Sequence, residues 1–140
     1  AVTASGFGGD VRFVGVVPRQ EMLGYYNAAD VLVMPSVTEP EDGLNVCVLD
    51  AMACARPIVA TTAAGNSLVV QDGLNGFLVP ERDATALAEK LILLAADAQM
   101  RERMGTASRA LAERDFSWAT LAARYRAHYR RTVALRSEAR

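Results

Sequence analysis

VLVMPSVTEPEDGLNVCVLDAMACARPIVAT, residues 31–61, begins and ends in short β-rich runs. Between them it carries an acidic loop, one glycine and an apolar segment of helix length. VLVMP (31–35) shows no polar alternation, the pattern of a strand covered on both faces. PIVAT (57–61) is a second short strand. Strand, helix, strand is the unit of a parallel sheet with right-handed crossovers. In such sheets ligands bind beyond the carboxyl ends of strands, in the loops that lead into helices. SVTEPEDG (36–43) is a loop of that kind.

The flanks extend the pattern. VRFVGVV (11–17) reads as a strand ended by Pro18, and RQEMLGYYNAA (19–29) sets Met22, Leu23, Tyr26 and Ala29 at helical spacing. Downstream, AAGNS (63–67) is a loop and LVVQ (68–71) is ambiguous. QDGLNG (71–76) holds two turn dipeptides, Asp72-Gly73 and Asn75-Gly76, that favour φ > 0. FLVP (77–80) is one more strand. Asp83 opens an amphipathic helix with Leu87, Leu91 and Leu94 on its inner stripe. A second helix spans about Ala98 to Arg114, and Ser117 can cap a third from about Trp118. The class is α/β: a Rossmann-like parallel sheet flanked by helices, ending in a helical tail. The 140 residues predict one domain, with an α/β core over about 1–80 and a helical part over about 83–140.

About half the residues are apolar and the net charge is −1, which suits a soluble globular protein and argues against nucleic-acid binding. One asymmetry stands out. After Phe116 come Arg124, Arg126, Arg130, Arg131, Arg136 and Arg140 against Glu138 alone, a solvated helix face or a contact with acidic lipid or another domain. Cys47 and Cys54 lie two helical turns apart without a CxxC pair, and His128 is the lone histidine. They read as buried reduced thiols of a cytoplasmic protein, and no zinc site is expected. No window is apolar for long enough to span a bilayer, and AVTASGFGGD lacks the features of a signal peptide. The absent initiator Met suggests a chain cut from something longer.

Gly43 lets a ligand approach the backbone, and a helix from about Leu44 would offer first-turn N–H groups to an anion. No basic side chain between Val37 and Cys54 completes a phosphate cradle. Asp42 and Asp50 are eight positions apart, roughly 12 Å of helix rise. That exceeds the roughly 5–9.5 Å between the carboxylates of glycoside hydrolases, so a shared acid/base pair is not expected. They could hold hydroxyls at opposite ends of one long polar ligand, or be only an N-cap and a solvated helix residue. From the residues alone this is an anion-binding α/β domain.

PSVTEPEDGLNVCVLDAMACARPIVAT resembles the core motif of family 4 glycosyltransferases, the retaining GT-B class. VRFVGVV followed by LGYYNAADVLVMPS resembles the strand-helix-strand lead-in of that family, and QDGLNGFLVP and Phe116-Ser117-Trp118 are similar to its later landmarks, in order and spacing. The resemblance implies the later part of the donor-binding domain, the C-terminal half of a GT-B fold. Its two donor-binding glutamates fall on Asp42, near the transferred sugar and reacting carbon, and on Asp50, at the ribose. Gly43 and Leu44 would supply N–H groups to sugar or diphosphate, and Val16 and Val17 would border the base. Glu39 and Glu41 are alternative carboxylates. Both family glutamates are aspartates here, and Leu68 stands where the family often has a further glutamate.

The resemblance implies a nucleotide-diphosphate sugar as donor, with neither cofactor nor metal. The acceptor, a glycan, lipid or small molecule, would sit on a missing N-terminal domain. The family's basic residues for the diphosphate belong to an opening segment that is also missing, so the isolated chain is not expected to turn over. The last helix is expected to pack toward the other domain through Trp118, Leu121, Tyr125 and Tyr129. A cytoplasmic site, with peripheral membrane contact, is consistent with this. The alternatives are a non-catalytic nucleotide-sugar-binding or interaction module and, less close to the motif, a sugar-nucleotide epimerase.

Overall fold

The computed structural model describes residues 6–39 and 43–138. Their elements run α1 (Arg19–Ala28), β1 (Leu32–Met34), α2 (Val46–Ala53), β2 (Ile58–Thr61), β3 (Gly76–Val79), α3 (Ala84–Ala96), α4 (Ala98–Phe116) and α5 (Trp118–Glu138). The three strands form one parallel sheet in chain order, with Leu32 opposite Ile58 and Ile58 opposite Gly76. The α/β class and the helical tail are as the sequence predicts.

β2 is the centre, and all four of its residues are buried. Side chains alternate across a strand. Ile58 and Ala60 therefore join a cluster with Val48, Ala51 and Met52 of α2 and Leu111 and Ala112 of α4. Val59 faces the other way, toward Phe77, Leu94 of α3 and Met104 of α4. Each fully buried large apolar side chain contributes about 1.5–3 kcal/mol, so these two layers carry the fold. Leu87 and Leu91 pack on the second of them, as the inner stripe predicts.

The helix starts follow the expected chemistry. Asp83 Oδ1 accepts from Ala86 N–H (2.9 Å), Asp97 Oδ1 from Met100 N–H (2.8 Å) and Ser117 Oγ from Thr120 N–H (3.2 Å). Each bond satisfies an N–H that the helix itself leaves without a partner.

Four expectations are corrected. Residues 11–17 form no strand; Phe13 is 81% exposed and Val16 101%. A strand needs a neighbour to satisfy its backbone, and no strand among the described residues lies beside this run. β1, expected to be covered on both faces, is half-buried throughout because it forms one edge of the sheet. α2 starts at Val46 rather than Leu44. Its N-cap, Asn45, makes no capping bond and spends its amide on Ser36 Oγ (3.0 Å). The two cysteines form no disulfide and are half-buried rather than buried.

The two turn glycines also differ from each other. Gly73 has φ +77°, as its dipeptide predicts. Gly76 does not lie in the left-handed region; it opens β3 against β2, where a Cβ would stand 1.9 Å from the Ile58 carbonyl oxygen. Asn75, fully buried, braces this approach. Its Oδ1 accepts from Gln71 N–H (2.7 Å) and its Nδ2 donates to the Val69 carbonyl (3.1 Å). Its own carbonyl accepts from Ile58 N–H (3.2 Å) and Ser108 Oγ–H (3.1 Å).

Candidate functional site

The chain leaves the carboxyl end of β1 through Pro35 and enters α2 at Asn45, so the loop 36–45 lies where a parallel sheet binds ligands. Its flanks are held by bonds to each other and to other segments. Thr61 Oγ1 donates to the Ser36 carbonyl (2.7 Å) and Asn45 Nδ2 to Ser36 Oγ (3.0 Å). Gly65 N–H donates to the Gly43 carbonyl (3.3 Å). A Cβ on Gly65 would stand 2.7 Å from Leu44 Cα, so only glycine lets Gly43 and Leu44 lie this close to the segment after β2. Behind them Asn66 is fully buried. Its Nδ2 donates to the Thr61 carbonyl (3.1 Å), and its Oδ1 finds no donor among the described residues.

At the other end of the loop Thr38 is bound twice by Glu81, which follows β3. The backbone N–H donates to Oε2 (2.8 Å) and the hydroxyl donates to Oε1. These two bonds hold the Glu81 carboxyl below the usual carboxylate range. Glu39, next along, is exposed. Asp42 and Glu41 lie outside the described residues.

Asp50 is exposed on the outer face of α2, in line with Val46 and Ala53. No acidic residue occupies the first turn of α2, which leaves that end suited to an anion. Asp50 borders two open grooves. One, of about 360 Å³, runs between α2 and Arg19, Met22, Leu23 and Tyr26 of α1. The other, of about 500 Å³, runs between α2 and the α4–α5 corner at Arg109, Phe116 and Trp118. Burial, then the Asp50 carboxylate, pushes the Tyr26 hydroxyl above its ordinary pKa.

The structure brings Gly43 and Leu44 to the mouth of α2 and Asp50 one turn beyond it. Val16 and Val17 precede Pro18 and Arg19, so they lie beside the first groove along the chain, but not as the end of a strand. Leu68, 74% exposed, sits in a 3₁₀ turn, Asn66–Leu68. Two features were not foreseen. Arg19 lines both grooves with Asp50, supplying a cation that the segment from Val37 to Cys54 lacks. Sequence offered only its position just after Pro18. The bond from Glu81 to Thr38 joins residues 43 positions apart, and no local pattern encodes it. No group of three or more His, Cys, Asp or Glu converges among the described residues.

A family model for Glycosyl transferases group 1 matches residues 1–97. The chain is 36% identical over 119 residues to a D-inositol 3-phosphate glycosyltransferase of Kribbella flavida; the match covers 85% of this chain and 27% of that relative. The chain therefore spans about a quarter of the length of such curated relatives. Among solved structures it is similar to sucrose-phosphate synthase from Thermosynechococcus elongatus, with TM-score 0.84 and 32% identity over 96% of this chain and 33% of that one. It is also similar to Anabaena Alr3699/HepE in complex with UDP-glucose, with TM-score 0.77 and 27% identity over 85% of this chain and 32% of that one.

Proposed function

Since the chain belongs to the group 1 glycosyl transferases, we propose that it is the donor-binding portion of a retaining, family 4 enzyme of the GT-B fold. The enzyme would move a sugar from a nucleotide-diphosphate sugar to an acceptor hydroxyl, without metal or cofactor. The observation that carries the reading is the close approach of Gly43 and Leu44 to Gly65 at the N-terminus of α2, with Asp50 one turn away.

In this reading the diphosphate meets the N–H groups around Gly43 and Leu44 and the dipole of α2. Asp50 accepts the ribose hydroxyls, and Arg19 adds positive charge beside the nucleotide. Val16 and Val17 border the base. Asp42 lies by the transferred sugar, with Glu39 and Glu41 as the other available carboxylates. As the leaving diphosphate departs, positive charge develops on the sugar, and a nearby carboxylate stabilises it more than the ground state. The acceptor, a glycan, lipid or small molecule, is held by a further domain, in the cytoplasm or at a membrane surface.

A second reading, a non-catalytic module on the same fold, is favoured by specific residues: aspartate at positions 42 and 50 and an exposed Leu68. Hydrolysis and transfer assays with a panel of UDP-, GDP- and ADP-sugars on the full-length protein separate the two. Turnover of one donor supports the enzyme; binding of a donor with no turnover supports the module.

A further inference from the structure

We propose that Glu81 is a positioning residue for the donor loop: by holding Thr38 it sets where Glu39, the first carboxylate of that loop, is presented to the sugar end of the donor. This rests on the reading above and adds a residue to it.

The geometry is specific. Glu81 follows β3, whereas Thr38 follows β1, with β2 between them. Strands lie about 4.8 Å apart, so the tether reaches across about 10 Å of sheet. Both oxygens of the carboxylate are used, one on the Thr38 N–H and one on its hydroxyl. Ser36 is held from β2 by Thr61 and Gly43 from the segment after β2 by Gly65, while Asn45 bonds Ser36 within the loop. Among the described contacts, Glu81 alone ties the loop to the far strand. Thr38 also immediately precedes Glu39 in the chain, so a shift there moves Glu39 directly. Misplacement of reacting groups by about 1 Å can cost about a hundredfold in rate. Asp50 stands on α2 beyond the other end of the loop, and the nucleotide should not sense the tether.

The test uses Glu81→Ala, Glu81→Gln and Thr38→Val in the full-length protein. Glutamine can replace both bonds: its carbonyl accepts from Thr38 N–H, and its amide donates to the threonine hydroxyl. Glu81→Ala is expected to lower kcat for the donor about tenfold, with UDP and GDP affinities by calorimetry within about twofold of wild type. Glu81→Gln should stay near wild type, and Thr38→Val should fall between. The double variant Thr38→Val/Glu81→Ala should match Glu81→Ala alone, since both remove one contact. Hydrogen exchange without nucleotide should show the Thr38 amide deprotected in Glu81→Ala only.

Equal loss in the Ala and Gln variants would overturn the proposal, since it would mark a charge effect rather than a tether. Parallel loss of nucleotide affinity and melting temperature would also overturn it, as a general structural role. Unchanged exchange at Thr38 refutes the tether whatever the enzyme does. If exchange rises but wild type binds neither UDP nor GDP and turns over no nucleotide sugar, the functional reading fails, and this role with it.

Discussion

In the proposed reading Asp42 and Asp50 carry the chemistry, and their two roles predict different kinetic signatures. Asp50, exposed on α2 and beside Arg19, would hold a ribose hydroxyl pair. A hydrogen bond to a charged group is worth about 1.5–3 kcal/mol. Asp50→Asn should therefore weaken donor binding about tenfold or more while kcat changes little. Asp42→Asn should do the reverse, lowering kcat with donor affinity comparatively intact, because in that reading its carboxylate would act on charge that exists only in the transition state. Unchanged kinetics in both variants, with about 1 kcal/mol of lost stability or less, would reduce the pair to a cap and a solvated residue. Cys54 offers a check on the groove itself. Burial pushes its thiol up, with Asp50 adding and the Arg56 and Arg109 guanidinium groups opposing. Alkylation of Cys54 at pH 8, followed by mass spectrometry, should then be slower in the native protein than in urea. Equal rates would place this thiol in an open, unperturbed surface. At this scale the proposed carboxylates and Gly43 could be picked out because they lie within about a dozen positions, Glu39 to Asp50, of one another in the chain. Arg19 and Glu81 were not, because their relation to the loop exists only after the sheet has formed.

Among the elements, caps and apolar periodicity were the legible part. Asp83 and Ser117 start helices where their side chains can reach an N–H three residues on, and that chemistry is local; Asp97, not singled out in the sequence, caps α4 in the same way. Residues 11–17 misled because β propensity states what a run could do, and pairing depends on a neighbour that local sequence does not specify. Gly76 shows the same limit from the other side. By dipeptide it equals Gly73, but one needs a left-handed backbone and the other needs empty space. This ranks two substitutions. Gly73→Ala puts a Cβ into open space at φ +77° and should cost about 1–2 kcal/mol. Gly76→Ala forces a Cβ to within 1.9 Å of the Ile58 carbonyl in the neighbouring strand. It must push β3 off β2 and break the Asn75 brace, at about 3 kcal/mol or more, which would lower the melting temperature by about 10 °C. Thermal unfolding of the two variants measures the difference. A Gly76→Ala protein as stable as Gly73→Ala would mean that β3 does not pack this tightly on β2.

For the whole molecule, the question is what the surface leaves uncovered. Trp118 is 88% exposed, and Tyr125 and Tyr129, on the same side of α5, are exposed and stacked at 6.4 Å. An aromatic side chain can bury about 150–250 Å², and contiguous apolar surface on this scale marks an interaction site or an association liability. The expectation that this stripe serves a contact beyond its own layer is consistent with that exposure. No helix among the described residues is long and apolar enough to cross a membrane. The outer edge of β1 adds a second adhesive feature, with no strand paired to it among the described residues. The 140-residue chain on its own is therefore expected to self-associate, its sedimentation-derived mass rising with concentration. Replacing Trp118, Tyr125 and Tyr129 together by serine should suppress this and leave the melting temperature almost unchanged, since exposed positions cost within about 0.5 kcal/mol each. Self-association that persists in the triple variant would shift the cause to the β1 edge. In the full-length protein, hydroxyl-radical labelling of Trp118 should fall if the stripe is covered by another domain. A monodisperse 140-residue monomer with a sharp, concentration-independent transition would overturn the prediction, because it would show that neither the stripe nor the edge is adhesive enough to bring two copies together.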